Sequence, residues 1–237
     1  MTHVDLNLLA LDTSTDQLSV AVQRADGQRF AHTGAGGAQA SASLIPAVQA
    51  LLAQAALSLS DLRAIAFGRG PGSFTGLRTA CSVAQELAWG AGVPVLPIDT
   101  LLAVAEAARS AHGATHVLAL LDARMNEVYA AEYAWRDAAG WRPLSNIAVL
   151  APEAVPTPGA GAVLAGNAFA AYADRLPAAL QALPRIAALP SADALLNLAP
   201  ALLAAGAAVP AEQALPLYIR DKVAQTTAER SAAGLAR

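Results

Sequence analysis

A glycine-rich stretch in the first half of the sequence limits what this chain can fold into. Four glycines and one proline fall within the nine residues Gly68-Arg69-Gly70-Pro71-Gly72-Ser73-Phe74-Thr75-Gly76. In a helix interior each glycine costs roughly 1 kcal/mol and a proline roughly 3 kcal/mol relative to alanine. An apolar run precedes the stretch and a helical pattern follows it, so the sequence predicts a strand, a tight loop and a helix N-terminus. Backbone N–H groups at such a junction suit either an anion or a closely packed partner.

Apolar periodicity predicts the other elements of an α/β fold. The expected strands cover residues 6–11, 18–22, 28–33, 65–67, 93–98, 117–121, 127–133 and 215–219. The expected helices cover residues 43–56, 76–89, 99–109, 191–207 and 224–237. Residues 34–42 are rich in glycine and alanine and lack a hydrophobic period, so they predict a mobile loop.

The order of elements repeats after His112-Gly113. Leu9-Ala10-Leu11-Asp12, a turn and an apolar strand in the first half resemble Leu120-Leu121-Asp122, a turn and an apolar strand in the second. Repetition of the same order predicts a duplicated α/β unit. We therefore expect two subdomains, over residues 1–108 and 109–219, with the terminal helix over 220–237 packed on the first.

Composition and charge exclude several classes of protein. Apolar residues make up 55% of the 237 residues and charged residues 14%, which is typical of a globular chain. The formal net charge is −3 and no basic run occurs, so strong direct binding to nucleic acid is not expected. The single cysteine, Cys81, excludes an internal disulfide and is expected to be a small buried residue. No signal peptide or membrane-spanning run is evident, which predicts a cytoplasmic protein without membrane association.

The turn Asp12-Thr13-Ser14-Thr15 is the first candidate for chemistry. A strand that ends in an aspartate and a small-residue turn resembles the phosphate-binding hairpin of the actin, Hsp70 and sugar-kinase superfamily, although the usual glycine is missing. These four residues are therefore possible nucleotide or phosphate ligands. The competing interpretation is a β-turn held by local side-chain hydrogen bonds.

Other candidates are weaker. The sequence has no Gly-Lys-Ser/Thr motif, which excludes a P-loop. His112 and His116 have zinc-like spacing, but Gly113 separates them and no third ligand is nearby, so no metal site is predicted. Ser73 is expected to cap the helix after the glycine loop, since no base is assignable to it as a nucleophile.

Four segments of the sequence resemble the signatures of one protein family. Leu9-Ala10-Leu11-Asp12-Thr13-Ser14-Thr15, the glycine loop with Leu77-Arg78, Asp122-Ala123-Arg124-Met125-Asn126-Glu127-Val128-Tyr129 and Pro216-Leu217-Tyr218-Ile219-Arg220 are similar to the signatures of the TsaB (YeaZ) family. They occur in the family's order and span nearly the whole chain. The resemblance implies an actin-like fold of the ASKHA class, a duplicated ribonuclease H-like unit in two subdomains.

The resemblance also implies a role in tRNA modification. TsaB-like chains are non-catalytic subunits that activate a TsaD-like paralogue, which adds threonylcarbamoyl to N6 of the adenosine 3′ of the anticodon in tRNAs that read codons beginning with A. The implied partners are this paralogue as a heterodimer and a TsaE-like ATPase, with homodimers of the chain alone and with tRNA reached only through the complex. No cofactor of its own is implied, and ATP or ADP would lie at the complex interface.

One departure from TsaD-like proteins supports a non-catalytic role. These carry a His-x-x-x-His metal motif at a strand–helix junction, where this chain reads Asp99-Thr100-Leu101-Leu102-Ala103-Val104. The alternative is a small ATP-dependent kinase or ATPase that uses Asp12 and the second-half aspartate.

Two helices are expected to carry the partner interface, over residues 43–56 and 76–89. Ser43 is expected to cap the first, with Pro46 in its first turn. The small residues of the second suit close packing, either against a partner or in the core. The expected interface residues are Leu44, Val48, Leu51, Leu52, Phe74, Leu77, Arg78, Cys81, Ala84 and Ala88.

Overall fold

The structure is a computed structural model that describes residues 6–137 and 139–220. The strands are β1 (Leu8–Asp12), β2 (Gln17–Gln23), β3 (Arg29–Ala35), β4 (Ala64–Gly70), β5 (Val95–Asp99), β6 (His116–Arg124), β7 (Glu127–Arg136), β8 (Gly140–Pro143), β9 (Ala148–Leu150), β10 (Val163–Gly166) and β11 (Arg185–Ala187). The α-helices are α1 (Ala40–Gln54), α2 (Phe74–Ala91), α3 (Thr100–His112), α4 (Ala168–Tyr172), α5 (Ala178–Gln181) and α6 (Ala192–Ala204). The helix predicted over 224–237 lies outside the described residues.

Two sheets of matching topology confirm the predicted duplication. The first has the order β3-β2-β1-β4-β5, and the second has the order β8-β7-β6-β10-β11 with β9 added beside β7. In each sheet the first three strands of the chain order pair antiparallel and the next two pair parallel. The fold is thus the duplicated actin-like α/β fold that the sequence predicted.

Both faces of the first sheet are buried against helices. Leu9, Leu11 and Phe67 face α1 and α2, whereas Ala10 and Ala66 face α6 on the opposite side. Successive side chains of a strand point to opposite faces, so alternate residues of β1 and β4 contribute to two separate cores. In the second sheet, one face packs on α3 and the other on α4 and α5.

The boundary predicted between residues 108 and 109 does not separate two packing units. Helix α3, placed at the end of the first half, packs on the second sheet. Helix α6, placed in the second half, packs on the first sheet and against α3. The two helices therefore form a shared layer between the sheets, which periodicity alone cannot assign because each helix is apolar on more than one side.

Two local predictions near α1 were wrong. Residues 34–42 are not an unstructured loop, since β3 continues to Ala35 and α1 already begins at Ala40. Ser43 lies inside this helix, where its hydroxyl donates to the Gln39 carbonyl at 2.9 Å, so it is not the cap. Pro46 accordingly falls in the second turn rather than the first. Alanine favours helix, and the Ala40 side chain is fully buried in the first core.

The prediction of a strand over residues 215–219 was also wrong. Residues 214–220 have no regular secondary structure. Leu217 donates its backbone N–H to the Arg69 carbonyl at 2.7 Å, which is an isolated bond rather than part of a ladder. Pro216 has no N–H to offer a neighbouring strand, so the segment runs on without joining either sheet.

Burial on α2 leads to a stability prediction. Ala84 is 0% exposed in the first core, so Ala84→Arg should lower the free energy of unfolding by about 4 kcal/mol or more, because it buries a charge and overpacks the core. Ser82 is exposed on the same helix, and Ser82→Arg should change stability by less than about 0.5 kcal/mol. Urea denaturation of both variants measures the difference, and equal stabilities would show that α2 does not pack as described.

Candidate functional site

A cleft between the two sheets gathers all four segments that the sequence singled out. Its volume is about 270 Å³. Residues from the turn after β1, the glycine loop, the turn after β6 and the segment 217–220 line it. Asp122 of the β6 turn lines the cleft, whereas Asp12, the equivalent aspartate of the first half, is fully buried and does not line it.

The turn after β1 is a buried, self-bonded structure. One carboxylate oxygen of Asp12, Oδ1, accepts from the Ser14 N–H at 2.9 Å and from the Ser14 hydroxyl at 2.7 Å. Its other oxygen, Oδ2, has no hydrogen-bond partner among the described residues. Burial raises the pKa of the Asp12 carboxyl to about 6, although the hydrogen bonds from Ser14 lower it.

The loop needs its glycines because it lies directly on the turn after β1. A Cβ atom on Gly68 would be 1.7 Å from Asp12 Oδ2, one on Gly72 would be 2.5 Å from the Ser14 carbonyl oxygen, and one on Gly76 would be 1.8 Å from the Thr13 carbonyl oxygen. No side chain fits at such distances. The three glycines are therefore required by close backbone approach to the first turn.

Hydrogen bonds between the two segments fix the start of α2. Ser73 donates its N–H to the Ser14 carbonyl at 2.7 Å, and the Thr13 hydroxyl donates to the Gly76 carbonyl at 2.7 Å. The Ser73 hydroxyl caps α2 by accepting from the Gly76 N–H, as the sequence predicted. The loop thus sets the position of the first turn of α2 relative to β1.

The turn after β6 has an unusual backbone. Arg124, Met125 and Asn126 all have positive φ, between 55° and 62°, a region that non-glycine residues seldom adopt. Asp122 supports the turn by accepting from the Arg124 N–H at 2.8 Å and from the Tyr172 hydroxyl at 2.9 Å. Strained backbone of this kind persists only where surrounding contacts hold it.

Ion pairs link the turn after β6 to the turn after β1 and to the C-terminal end of the described chain. The Arg124 guanidinium pairs with Asp122 beside it and with Asp16 across the cleft. Arg220 pairs with Glu127 and donates to the Ala123 carbonyl at 3.1 Å. Arg124 and Asp16 are largely exposed, so that pair contributes little to stability, whereas the Arg220 side chain is only 16% exposed.

The C-terminal part of the described chain spans the cleft. We call residues 214–220 the strap. At one end the Ala214 carbonyl accepts from the Cys81 thiol at 3.3 Å. In the middle, Leu217 bonds to Arg69, and the Tyr218 ring lies 5.5 Å from the Phe74 ring. Because Arg220 anchors the other end at the β6 turn, the strap ties α2 of the first half to the second half.

Comparison with known proteins shows similarity along most of this chain, including these segments. The family model described as "tRNA N6-adenosine threonylcarbamoyltransferase", TsaD, matches residues 32–228. The Escherichia coli protein named "tRNA threonylcarbamoyladenosine biosynthesis protein TsaB" is 38% identical over 224 residues, which cover 92% of this chain and 96% of that one. The Haemophilus influenzae protein of the same name is 36% identical over 92% of this chain and 95% of its own. The chain belongs to the TsaB family.

A solved structure agrees with this assignment. The structure titled "YeaZ from Pseudomonas aeruginosa" has a TM-score of 0.83 and is 41% identical, covering 90% of this chain and 99% of that one. The resemblance that four short segments predicted therefore extends along nearly the whole of this TsaB-family chain.

The four residues predicted as nucleotide ligands are mostly inaccessible. Asp12 and Thr13 are 0% exposed and Ser14 is 2% exposed, and the glycine loop covers them. Only Thr15 is partly exposed, and it lines the cleft together with Ser14. The glycine loop therefore fills the space beside the turn, which favours the interpretation as a β-turn held by local hydrogen bonds. Binding of a nucleotide to these residues stays untested.

The side chains chosen for the partner interface require a correction. Phe74 is 46% exposed and Arg78 is also exposed. The others have side chains buried in the protein's own core, namely Leu44, Val48, Leu51, Leu52, Leu77, Cys81, Ala84 and Ala88, and contact of these residues with a partner stays a prediction. Cys81 is buried as a small residue, as predicted. An apolar helix face has the same pattern whether it covers a sheet or a partner, so the pattern could not tell the two apart.

The residues that hold the cleft together were not predicted from the sequence. Arg124 was considered as a phosphate or interface contact, with a surface turn favoured, and Arg220 was quoted only within a signature. Asp16, Tyr172 and Asn167 were not considered. The useful signal was the presence of arginine in both signatures, since a buried or strained segment often needs a charge-assisted hydrogen bond.

A metal site was not predicted. Across residues 6–137 and 139–220 no group of three histidine, cysteine, aspartate or glutamate side chains is placed to hold a metal ion. His116 instead lies 2.6 Å from Glu132, while His112 ends α3. Whether the whole protein works without a metal stays a prediction.

Two glycines of α2 allow a matched test of the packing between the loop and the turn. Gly76→Ala places a methyl group against the Thr13 carbonyl, whereas Gly90→Ala meets nothing within 4 Å. We expect Gly76→Ala to lower the free energy of unfolding by about 2–4 kcal/mol and Gly90→Ala to raise it by about 0.5–1 kcal/mol. Chemical denaturation measures both, and a stable Gly76→Ala protein would contradict the described contact.

The raised pKa of Asp12 predicts a dependence of stability on pH. The folded pKa of about 6 lies above the usual 3.8, so the folded state holds the extra proton. The Asp12 carboxyl therefore contributes its full stabilisation below about pH 4. This contribution, about 3 kcal/mol of unfolding free energy, is lost as pH rises through 6. Other carboxyls with lowered pKa act in the opposite direction. The free energy of unfolding of Asp12→Asn should therefore rise relative to that of the parent as pH increases from about 4 to 7. If the curves of unfolding free energy against pH are parallel for the two proteins, Asp12 does not have this effect.

Proposed function

We propose that this chain is a non-catalytic subunit that supports tRNA threonylcarbamoyladenosine synthesis. It positions and activates a TsaD-like transferase that adds threonylcarbamoyl to N6 of the adenosine 3′ of the anticodon in tRNAs reading codons that begin with A. The observation that carries the proposal is the identity of 38% to the Escherichia coli TsaB protein over 96% of that protein's length.

The geometry of the cleft supports a subunit without its own chemistry. A kinase or ATPase of the actin-like class needs an aspartate that a metal-bound phosphate can reach, and here Asp12 is 0% exposed beneath Gly68. The strand–helix junction at Asp99-Thr100 has no histidine, and Asp99 pairs there with Arg69 at 2.6 Å. The chain matches the transferase family model, so we infer that it kept the scaffold of a transferase paralogue without its metal motif.

The proposal includes partners and location. The partners are a TsaD-like paralogue and a TsaE-like ATPase in the cytoplasm, and tRNA is reached through the complex. Any ATP or ADP is bound where the subunits meet rather than in this chain alone. Among the described helices none is long and apolar enough to cross a membrane.

Reconstitution tests the proposal. The purified chain is combined with the TsaD-like transferase, the TsaE-like ATPase, threonylcarbamoyl-adenylate and unmodified tRNA from the same organism. We expect modified adenosine, measured by mass spectrometry of nucleosides, only when both the chain and the transferase are present. Product formed by the chain alone would overturn the non-catalytic assignment. Product that is unaffected when the chain is omitted would overturn the activating role.

The ATPase alternative has a separate readout. If this chain hydrolyses ATP with magnesium and Asp12→Asn abolishes that activity, the chain is an enzyme of the actin-like class. We expect no such activity, because the glycine loop covers the Asp12 carboxylate. Release of phosphate from ATP measures it, with the parent chain and the variant prepared identically.

A further inference from the structure

An exposed aromatic and cationic cluster lies at the rim of the cleft. The Arg78 guanidinium carbon lies 3.9 Å from the centre of the Phe74 ring, and Arg78 Nε donates to the Tyr218 hydroxyl at 3.0 Å. Phe74 is 46% exposed and Tyr218 is 45% exposed. Met125, another exposed apolar residue, lines the same cleft. Exposed aromatic and arginine residues of this kind are enriched at the energetic centres of protein interfaces.

The charge of Arg78 distinguishes it from the other arginines around the cleft. Arg69, Arg124 and Arg220 each pair with a carboxylate of this chain. For Arg78 no carboxylate of the described residues lies within ion-pairing distance, and its terminal nitrogens make no hydrogen bond with them. The side chain is nevertheless held in place, because stacking on Phe74 and the bond to Tyr218 fix its orientation. A guanidinium oriented in this way suits bidentate binding of a carboxylate through its terminal N–H groups.

We propose that Arg78, Phe74 and Tyr218 form a docking surface for a segment of a partner protein in which a carboxylate lies next to an apolar side chain. The carboxylate pairs with Arg78, and the apolar side chain packs on Phe74 and Tyr218 and enters the cleft towards Met125. A nucleic-acid phosphate is less suited, because a nucleic-acid surface needs several unpaired cations and the neighbouring arginines are already neutralised. This inference rests on the proposed function, under which the partner is the transferase subunit.

The surface depends on the strap as well as on α2. Tyr218 belongs to the strap, and Phe74 and Arg78 belong to the first two turns of α2. Arg220 holds the strap through Glu127 and Ala123 of the second half. The docking surface is thus assembled from residues of both halves, and only when the strap lies across the cleft.

Affinity measurements with purified transferase subunit test the surface. We expect Arg78→Glu to raise Kd at least about tenfold, because a like charge then faces the partner carboxylate, and Phe74→Ala to raise it about tenfold. Arg63 is exposed elsewhere on the first half, so Arg63→Glu is the matched control for net charge and should change Kd by less than about twofold. Unchanged melting temperatures show that the variants fold. Arg78→Glu that binds like the parent would overturn the proposal.

A zero-length crosslink identifies the partner group directly. The sequence contains one lysine, Lys222, so Arg78→Lys adds a reactive amine to a nearly lysine-free chain. Carbodiimide treatment of the complex should join the introduced amine at position 78 to an aspartate or glutamate of the transferase, located by mass spectrometry. Arg63→Lys should give no such product. Absence of a crosslink at position 78, or an equal yield from Arg63→Lys, counts against the proposal.

Three further outcomes have separate meanings. If Arg78→Glu weakens binding of tRNA but not of the transferase, the surface binds RNA and the proposal is wrong. If the parent chain neither binds nor stimulates the transferase, the proposed function fails and this inference falls with it. If the parent chain does both and the Arg78 variants do so equally, only this inference fails.

Discussion

The contact between the first turn and the glycine loop is the constraint on which the cleft depends. The backbone of Thr13 and Ser14 occupies the space that side chains at Gly72 and Gly76 would need. Backbone approach this close lets Ser73 and Thr13 hydrogen-bond across the contact and fixes where α2 begins. Since α2 carries Phe74 and Arg78, the placement of these exposed residues follows from glycine positions on the neighbouring loop.

The same contact explains why Asp12, at a position typical of a phosphate ligand, is fully buried here. The Asp12 carboxylate lies under Gly68 with one oxygen bonded by Ser14 and the other without a partner among the described residues. A buried carboxyl with an unsatisfied oxygen is costly, and its raised pKa reflects that cost.

The strap gives the two halves a second connection besides the shared layer of α3 and α6. It has no ladder hydrogen bonds and is held instead by contacts with Cys81, Arg69, Phe74 and Arg78 and by Arg220. Ala214 and Ile219 also pack on the two cores. A partner that binds Phe74 and Tyr218 together would contact both α2 and the strap.

The sequence by itself determined the repeated order of elements, the strand–loop–helix junction around the glycine-rich stretch and the family, although the loop itself is only residues 71–73, between β4 and α2. These follow from local physics, because strand alternation, glycine cost and short signatures are properties of neighbouring residues. It could not determine which side of an apolar helix faces a partner, since Leu44 or Ala84 has the same pattern against a sheet as against another protein. Nor could it place Arg124 beside Asp16, or Tyr218 beside Phe74, because the members of each pair lie far apart in the chain. Only the tertiary structure decided that α3 and α6 share a layer, that the first turn is covered, and that the strap completes the rim of the cleft.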